Sequence, residues 1–478
     1  MIGAQLRRLG RHSAIYGLGG LVSRILAVLL LPLYTSYLSD TDYGRVETLV
    51  ALSALLVTLL RAGISTAFFR FYFDSPEPAA RRKVLRTAFW FTIAMSTLGL
   101  VLGWIFATPI ADVLNLGANQ DGLVRAAFVG LWAQMNYEQL TALFRVEERS
   151  AAFVAASLAN VVLTIAATIL LVVVFDQRAL GVVVANLSGT LLVYLALVGY
   201  RREQLGLEFD RALLRRMNRF GLPLVPSGLA LWALNFSDRF FLARLAGQDD
   251  VGRYSIGVRI ASAMVLLLVA FRTAWPAFAY SIDDEREARR TYAFVLTYLL
   301  FVSCWLSLAL GSLAPWIVRV LARDEQFWPG ANVVAPLAFA GAFWGAYTVV
   351  AIGIGRLRRT QFNWVITGSA AAVDVALNLL LIPRYGIEGA ATAAVTSFAL
   401  MFVAMAVYSQ RLYPVPYQWR RVALVVGAAV ALTVAARTVD RLDVAIVAVL
   451  AYPLVLLPLG FYLPVERARL ARVLVRQA

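Results

Sequence analysis

The chain has 478 residues, 61% of them apolar and 15% charged, with a formal net charge of +16 and a mean hydropathy of +0.74. A soluble domain carries about 45–50% apolar and about 25% charged residues, so the apolar excess belongs in lipid, and nucleic-acid binding is the wrong reading of the positive charge. One cysteine, Cys304, and one histidine, His12, exclude a disulfide framework, a multi-cysteine metal site and a His-ligated metal centre.

A membrane-crossing helix needs about 20 mainly apolar residues. Fourteen such runs follow one another, at about 14–38, 44–71, 86–107, 123–144, 150–175, 180–200, 220–245, 252–278, 292–312, 331–355, 361–382, 387–409, 421–437 and 443–462. The first follows Arg7, Arg8 and Arg11, yet it holds Arg24 and lacks a small-x-small cleavage site, so it reads as a retained helix and not a signal peptide. Lys83 is the only lysine among 44 basic residues. If the N-terminus lies inside, 28 of them fall on inward segments, 10 on outward segments and 6 within the runs. That bias places both termini in the cytoplasm and the chain in the cytoplasmic membrane. The inward connector 201–219, where Leu205, Leu207, Phe209, Leu213, Leu214 and Met217 alternate with arginines, reads as an amphipathic helix on the inner leaflet or a plain topology anchor.

Asp42-Tyr43-Gly44-Arg45 follows the first run and Asp250-Val251-Gly252-Arg253 the seventh, an offset of 208 residues, and the same offset separates Gly181 from Gly389. Two landmarks with one spacing imply two like-oriented six-helix lobes, 1–200 and 220–410, joined by the connector 201–219 and followed by two further helices and a basic tail in 411–478. The expected fold is therefore all-α and polytopic.

A charged side chain at the bilayer centre costs at least about 2.5–3.5 kcal/mol, which makes a deep one a functional candidate. Arg24 lies about 15 Å into its run, at mid-depth, and Arg61 is comparably deep. Arg239 and Arg259 sit about two turns from the outer ends of runs seven and eight. Arg70 and Arg272 are near the cytoplasmic face and are expected to snorkel. Guanidinium groups from both lobes lining one cleft would make an anion site, since the planar fork stays charged and meets phosphate oxygens in pairs. The competing reading pairs each arginine with a local carboxylate, for which Asp238, Glu47 and Glu138 are at hand.

Three strings carry a resemblance. They are Ser23-Arg24 with Leu31-Pro32-Leu33-Tyr34-Thr35-Ser36-Tyr37-Leu38 and Asp42-Tyr43-Gly44; Ser237-Asp238-Arg239-Phe240-Phe241; and Asn378 to Ala391, the most specific. Over roughly residues 10–410 the chain resembles the polysaccharide transporter family, the Wzx-like oligosaccharide flippases of the multidrug/oligosaccharidyl-lipid/polysaccharide exporter superfamily. The resemblance implies an exporter that turns a lipid-pyrophosphate-linked oligosaccharide to the outer leaflet by alternating access, for a surface polysaccharide such as O-antigen. Other polysaccharide assembly proteins are its implied partners. Arg24, Arg61, Arg259 and Arg239 are then the candidate substrate-binding residues. The related lipid II flippases place essential arginines in helices one and eight, where Arg24 and Arg259 stand, although here Ile25 follows Arg24 in place of an acid.

A second constellation consists of Asp374 and Asn378, one turn apart, Thr392 and Thr396 with the same spacing, and Asn235 with Asp238. Such oxygens suit a hard cation, or else interhelical hydrogen bonds worth about 0.6 kcal/mol each. Resemblance to the sodium site of the lipid II flippases points to Asp238, Asp374, Asn378 and Thr396, with acid and amide in reversed order on the eleventh run. No cofactor is expected beyond a coupling Na+ or H+; failing that, the membrane potential would drive an anionic head outward. Trp232 and Trp364 are deep enough to stack a sugar, whereas Trp90, Trp104 and Trp419 suit the interfacial belt. A cation-coupled multidrug extruder would want an acidic cavity. A membrane glycosyltransferase or polymerase would need paired carboxylates on a long loop, and the loops with Asp112, Asp121, Asp324 and Glu325 offer none. The chain is therefore expected not to be an enzyme.

Overall fold

The computed structural model describes residues 30–357 and 362–464, and among them there is no strand. In chain order the helices are α1 (Leu31–Tyr37), α2 (Asp40–Arg61), α3 (Ile64–Tyr72), α4 (Pro78–Ile105), α5 (Ala107–Val113), α6 (Asp121–Val146), α7 (Ser150–Thr168), α8 (Arg178–Arg201) and α9 (Arg211–Gly221). They continue with α10 (Val225–Leu245), α11 (Gln248–Ala261), α12 (Ala263–Tyr280), α13 (Glu285–Leu321), α14 (Ala331–Val350), α15 (Ile352–Arg356), α16 (Asn363–Leu412), α17 (Trp419–Val439) and α18 (Leu442–Val455).

Local chemistry sets several of these boundaries. Ser39 caps α2 by accepting from the backbone N–H of Asp42 at 3.0 Å, and Asp40 and Asp42 in the first turn favour the positive end of the helix. The helix ends at Ala62 and Gly63, both left-handed. Gly63 is required there because a Cβ would fall 2.2 Å from the carbonyl oxygen of Gly221. Asp210 caps α9 through the N–H of Leu213 at 2.9 Å and pairs with Lys83 at 3.0 Å. Those two contacts hold its carboxyl below the ordinary aspartate range.

Among the described residues, ten helices are long and apolar enough to cross a membrane. The difference from fourteen has physical causes. The first run lies mostly outside the described residues. The fourth is α6, whose Asp121, Arg125, Glu138 and Arg145 lower its hydropathy. The eleventh and twelfth are both present in α16, as two helices that meet at a kink at Gly386, where φ is 50°, and are counted there as one. The fourteenth is the 14-residue α18.

The chain forms two compact units. Of the described residues, one comprises those up to Ser255 with Leu321–Phe327 and Ala371–Ala390; the other comprises Ile256–Val320, Trp328–Ala370 and those from Ala391. In the first, a core of Ile64, Phe68, Leu85, Leu143 and others receives Leu213 and Met217 of α9. Protein thus covers the α9 part of the apolar face expected on the inner leaflet, whereas Leu207 and Phe209 before the helix are exposed, as are Arg211, Arg215, Arg216 and Arg219. In the second unit α13 buries Tyr292, Leu296, Leu300, Cys304 and Leu308.

The repeated motif meets its own copy inside the first unit. A Cβ on Gly44 would fall 1.7 Å from the carbonyl oxygen of Gln248, and one on Gly252 would fall 2.0 Å from that of Asp40. The partners are themselves one repeat apart. Arg45 donates to the Leu116 carbonyl at 2.7 Å and to Asp42 at 3.0 Å; Arg253 donates to the Gln326 carbonyl and to Asp250, both at 3.1 Å. Arg253 also pairs with Asp40 at 2.8 Å, and Thr48 donates to Gln248 at 2.9 Å.

Candidate functional site

The arginines inside the apolar runs have different surroundings. Arg24 lies outside the described residues. Arg61, in the last turn of α2, pairs with Glu138 of α6 at 2.7 Å. Arg239 of α10 is buried. Its Nη1 donates to Asp238 at 2.8 Å and to the Asn235 carbonyl at 2.7 Å, with Phe236 and Tyr254 rings against the guanidinium. Arg259 stands half-buried in the last turn of α11, within the second unit. Arg70 pairs with exposed Asp74 at the end of α3.

Arg272 has a different partner. It is exposed on α12, and its guanidinium lies 4.3 Å from the ring centroid of Trp344 on α14, with Tyr347 of the same helix in electrostatic reach. Among the described residues it has no carboxylate partner. A guanidinium on an indole face is held in place without being neutralised, and its fork stays available to an incoming anion. The pairing with Trp344 was hidden in the sequence because 72 residues separate the two.

Three of the four proposed ion-site residues come together in the first unit. Tyr254 donates its hydroxyl to Asp238. Ser237 donates to Asp374 at 3.4 Å and Asn378 to the same carboxylate oxygen at 3.0 Å. All five side chains are buried. Thr396 is half-buried and belongs to the second unit, and Thr392 there is exposed. The Asn235 side-chain amide donates to the Leu231 carbonyl of its own helix at 2.7 Å. The cluster fits a cation only in part. Arg239 already supplies Asp238 with a positive charge, while Asp374 takes these two hydrogen bonds from neutral groups and the Asn378 amide oxygen has no hydrogen-bond partner. Trp232 donates to the Ala51 carbonyl at 3.0 Å, a packing role, and Trp364 is exposed.

The family model described as "Polysaccharide biosynthesis protein" matches residues 9–281, and the model "MatE" matches 223–380. "Lsg locus putative protein 1" of Haemophilus influenzae is 22% identical over 290 residues, covering 58% of this chain and 67% of that protein. "Putative O-antigen transporter" of Shigella flexneri is 22% identical over 322 residues, covering 65% and 76%. Among solved structures, the inward closed conformation of lipid II flippase MurJ superposes with a TM-score of 0.76 at 11% identity, covering 93% of this chain and 98% of that one. An inward-facing multidrug resistance MATE family transporter of the MOP superfamily gives 0.69 at 12% identity, covering 81% and 94%. At such identities these two likenesses establish the fold alone.

Proposed function

The chain belongs to the polysaccharide biosynthesis protein family, and from that membership we propose that it flips a lipid-pyrophosphate-linked oligosaccharide from the inner to the outer leaflet of the cytoplasmic membrane. It is a multi-pass membrane transporter and not an enzyme. The observation that carries the anionic cargo is Arg272, an accessible guanidinium on a spanning helix, seated on Trp344 and without a carboxylate partner among the described residues. The pyrophosphate is a strongly anionic group that must cross about 30 Å of hydrocarbon, and a guanidinium replaces its lost hydration with paired hydrogen bonds. Arg24 and Arg259 remain candidates for the same task. Arg61 and Arg239 serve first to satisfy Glu138 and Asp238. Export of a cationic cargo is disfavoured by the same observation, since Arg272 is accessible and has no carboxylate partner among the described residues.

The coupling group in this reading is Asp374, taking a proton or a monovalent cation beside the Asn378 amide oxygen. An inside-negative potential adds about 2.3 kcal/mol per cargo charge per 100 mV in the outward direction. Both termini lie in the cytoplasm on the arginine bias.

The test is translocation of a fluorescent lipid-pyrophosphate sugar in liposomes. Loss of a charge-assisted contact worth about 1.5–3 kcal/mol predicts that Arg272→Gln slows flipping about ten- to hundred-fold, while Arg272→Lys retains part of it. An unchanged rate in Arg272→Gln would remove the proposed role of this residue, and unchanged rates in Arg24→Ala and Arg259→Ala as well would sink the anionic cargo.

A further inference from the structure

Apart from the transported cargo, a cleft of about 550 Å³ lies where the end of α16 meets the start of α17. That volume is within the roughly 300–1,000 Å³ of ordinary ligand sites. Phe402, Val403, Ala406 and Val407 form its wall and Arg411 and Trp419 its far end. The wall positions recur with helical spacing, so one stripe of α16 faces the cleft. Phe402 and Ala406 are buried, whereas Val403 and Val407 are each about half exposed. From Phe402 to Arg411 the stripe runs about 13 Å along the helix axis. Gln410 fixes the corner: its side chain donates to the Val415 carbonyl at 2.8 Å and accepts from the Val415 N–H at 2.7 Å. Arg411 and Arg420 are exposed, and among the described residues neither has an ion-pair partner.

We propose that this cleft holds one acyl chain of an anionic glycerophospholipid of the inner leaflet, with the lipid phosphate on Arg411. Three features select that occupant. The wall is apolar and half open, as a site filled from the bilayer is. The single cation sits at one end, matching a ligand with an apolar chain and an anionic head. That end also belongs to a segment with Arg411, Arg420 and Arg421, which the arginine bias puts on the cytoplasmic side, where anionic lipids hold a negative surface potential. The stripe suits a single acyl chain, shorter than the polyprenyl anchor of a lipid-linked glycan.

The experiment uses the full chain in phosphatidylcholine vesicles containing a trace of phosphatidylglycerol or phosphatidylcholine with a photoreactive group in mid-chain, and labelled peptides are mapped. Labelling of 402–419 is expected to favour phosphatidylglycerol. Arg411→Gln is expected to lower it about five-fold, the equivalent of about 1 kcal/mol for one arginine near an anionic surface. Arg411→Lys should preserve it, and Val407→Trp, which fills the cleft, should lower labelling by both lipids. Equal labelling by the two lipids overturns the proposal, as does a phosphatidylglycerol signal indifferent to Arg411→Gln. Displacement of that signal by an equal concentration of polyprenyl phosphate also overturns it, by assigning the cleft to the cargo's anchor.

Discussion

A guanidinium inside a spanning helix can be neutralised by an acid, reach for water, or wait for a ligand, and this chain shows each outcome. Arg239 and Asp238 neutralise one another in a buried setting with Tyr254. Removing one member of such a pair leaves a bare buried charge, so Arg239→Ala should lower stability by about 3–5 kcal/mol. The double variant Arg239→Ala, Asp238→Asn should recover part of that, as read by thermal unfolding of the purified protein in detergent. Arg61→Ala should cost no more than about 1 kcal/mol, since Glu138 is 37% exposed and can be hydrated. Equal losses in the two arginine variants would contradict this division. The sequence gives the depth of each arginine and places Asp238 beside Arg239. It does not reveal that Glu138 faces Arg61 or that Trp344 lies under Arg272, because such pairings depend on which helix faces meet across many residues. The order of acid and amide in Asp374 and Asn378 is legible; that the amide turns its N–H to the carboxylate is not.

At the scale of helices, α2 and α11 cross in close contact at Gly44 and Gly252. Neither glycine has positive φ, so the requirement is space and not backbone conformation. Gly44→Ala and Gly252→Ala should each destabilise by about 1–3 kcal/mol, the usual effect of overpacking. Gly122→Ala and Gly199→Ala, with nothing within 4 Å of the added carbon, should be neutral or stabilising by up to about 1 kcal/mol through helix propensity. Denaturant or thermal titration of the four variants checks the contrast, and similar values throughout would refute it. The offset of 208 residues is visible in one dimension and flags the glycines, but it cannot tell that the two copies touch. For α9 the periodicity correctly shows one apolar face; that protein and not lipid covers it depends on α3 and α4 being near.

For the molecule as a whole, hydropathy and arginine placement carry the fold class and most helix boundaries, because burial in lipid is a stronger constraint on composition than packing. The span count is blurred where α6 carries charge and where two helices of α16 adjoin at the kink at Gly386. Cys304 is fully buried, so single added cysteines report orientation cleanly. Asp440→Cys should react with an impermeant maleimide in intact cells, and exposed Arg216→Cys only after permeabilisation. Labelling of both from one side would reverse the topology. The crossing at Gly44 and Gly252 has an evolutionary corollary. Each copy of the motif is the other's docking partner, so a half-length ancestor would have presented the same surface to a second molecule and closed as a two-fold homodimer. In the single chain the contact is intramolecular and constrains the twin glycines alike: neither can drift toward a larger residue without the backbone of the other motif giving way.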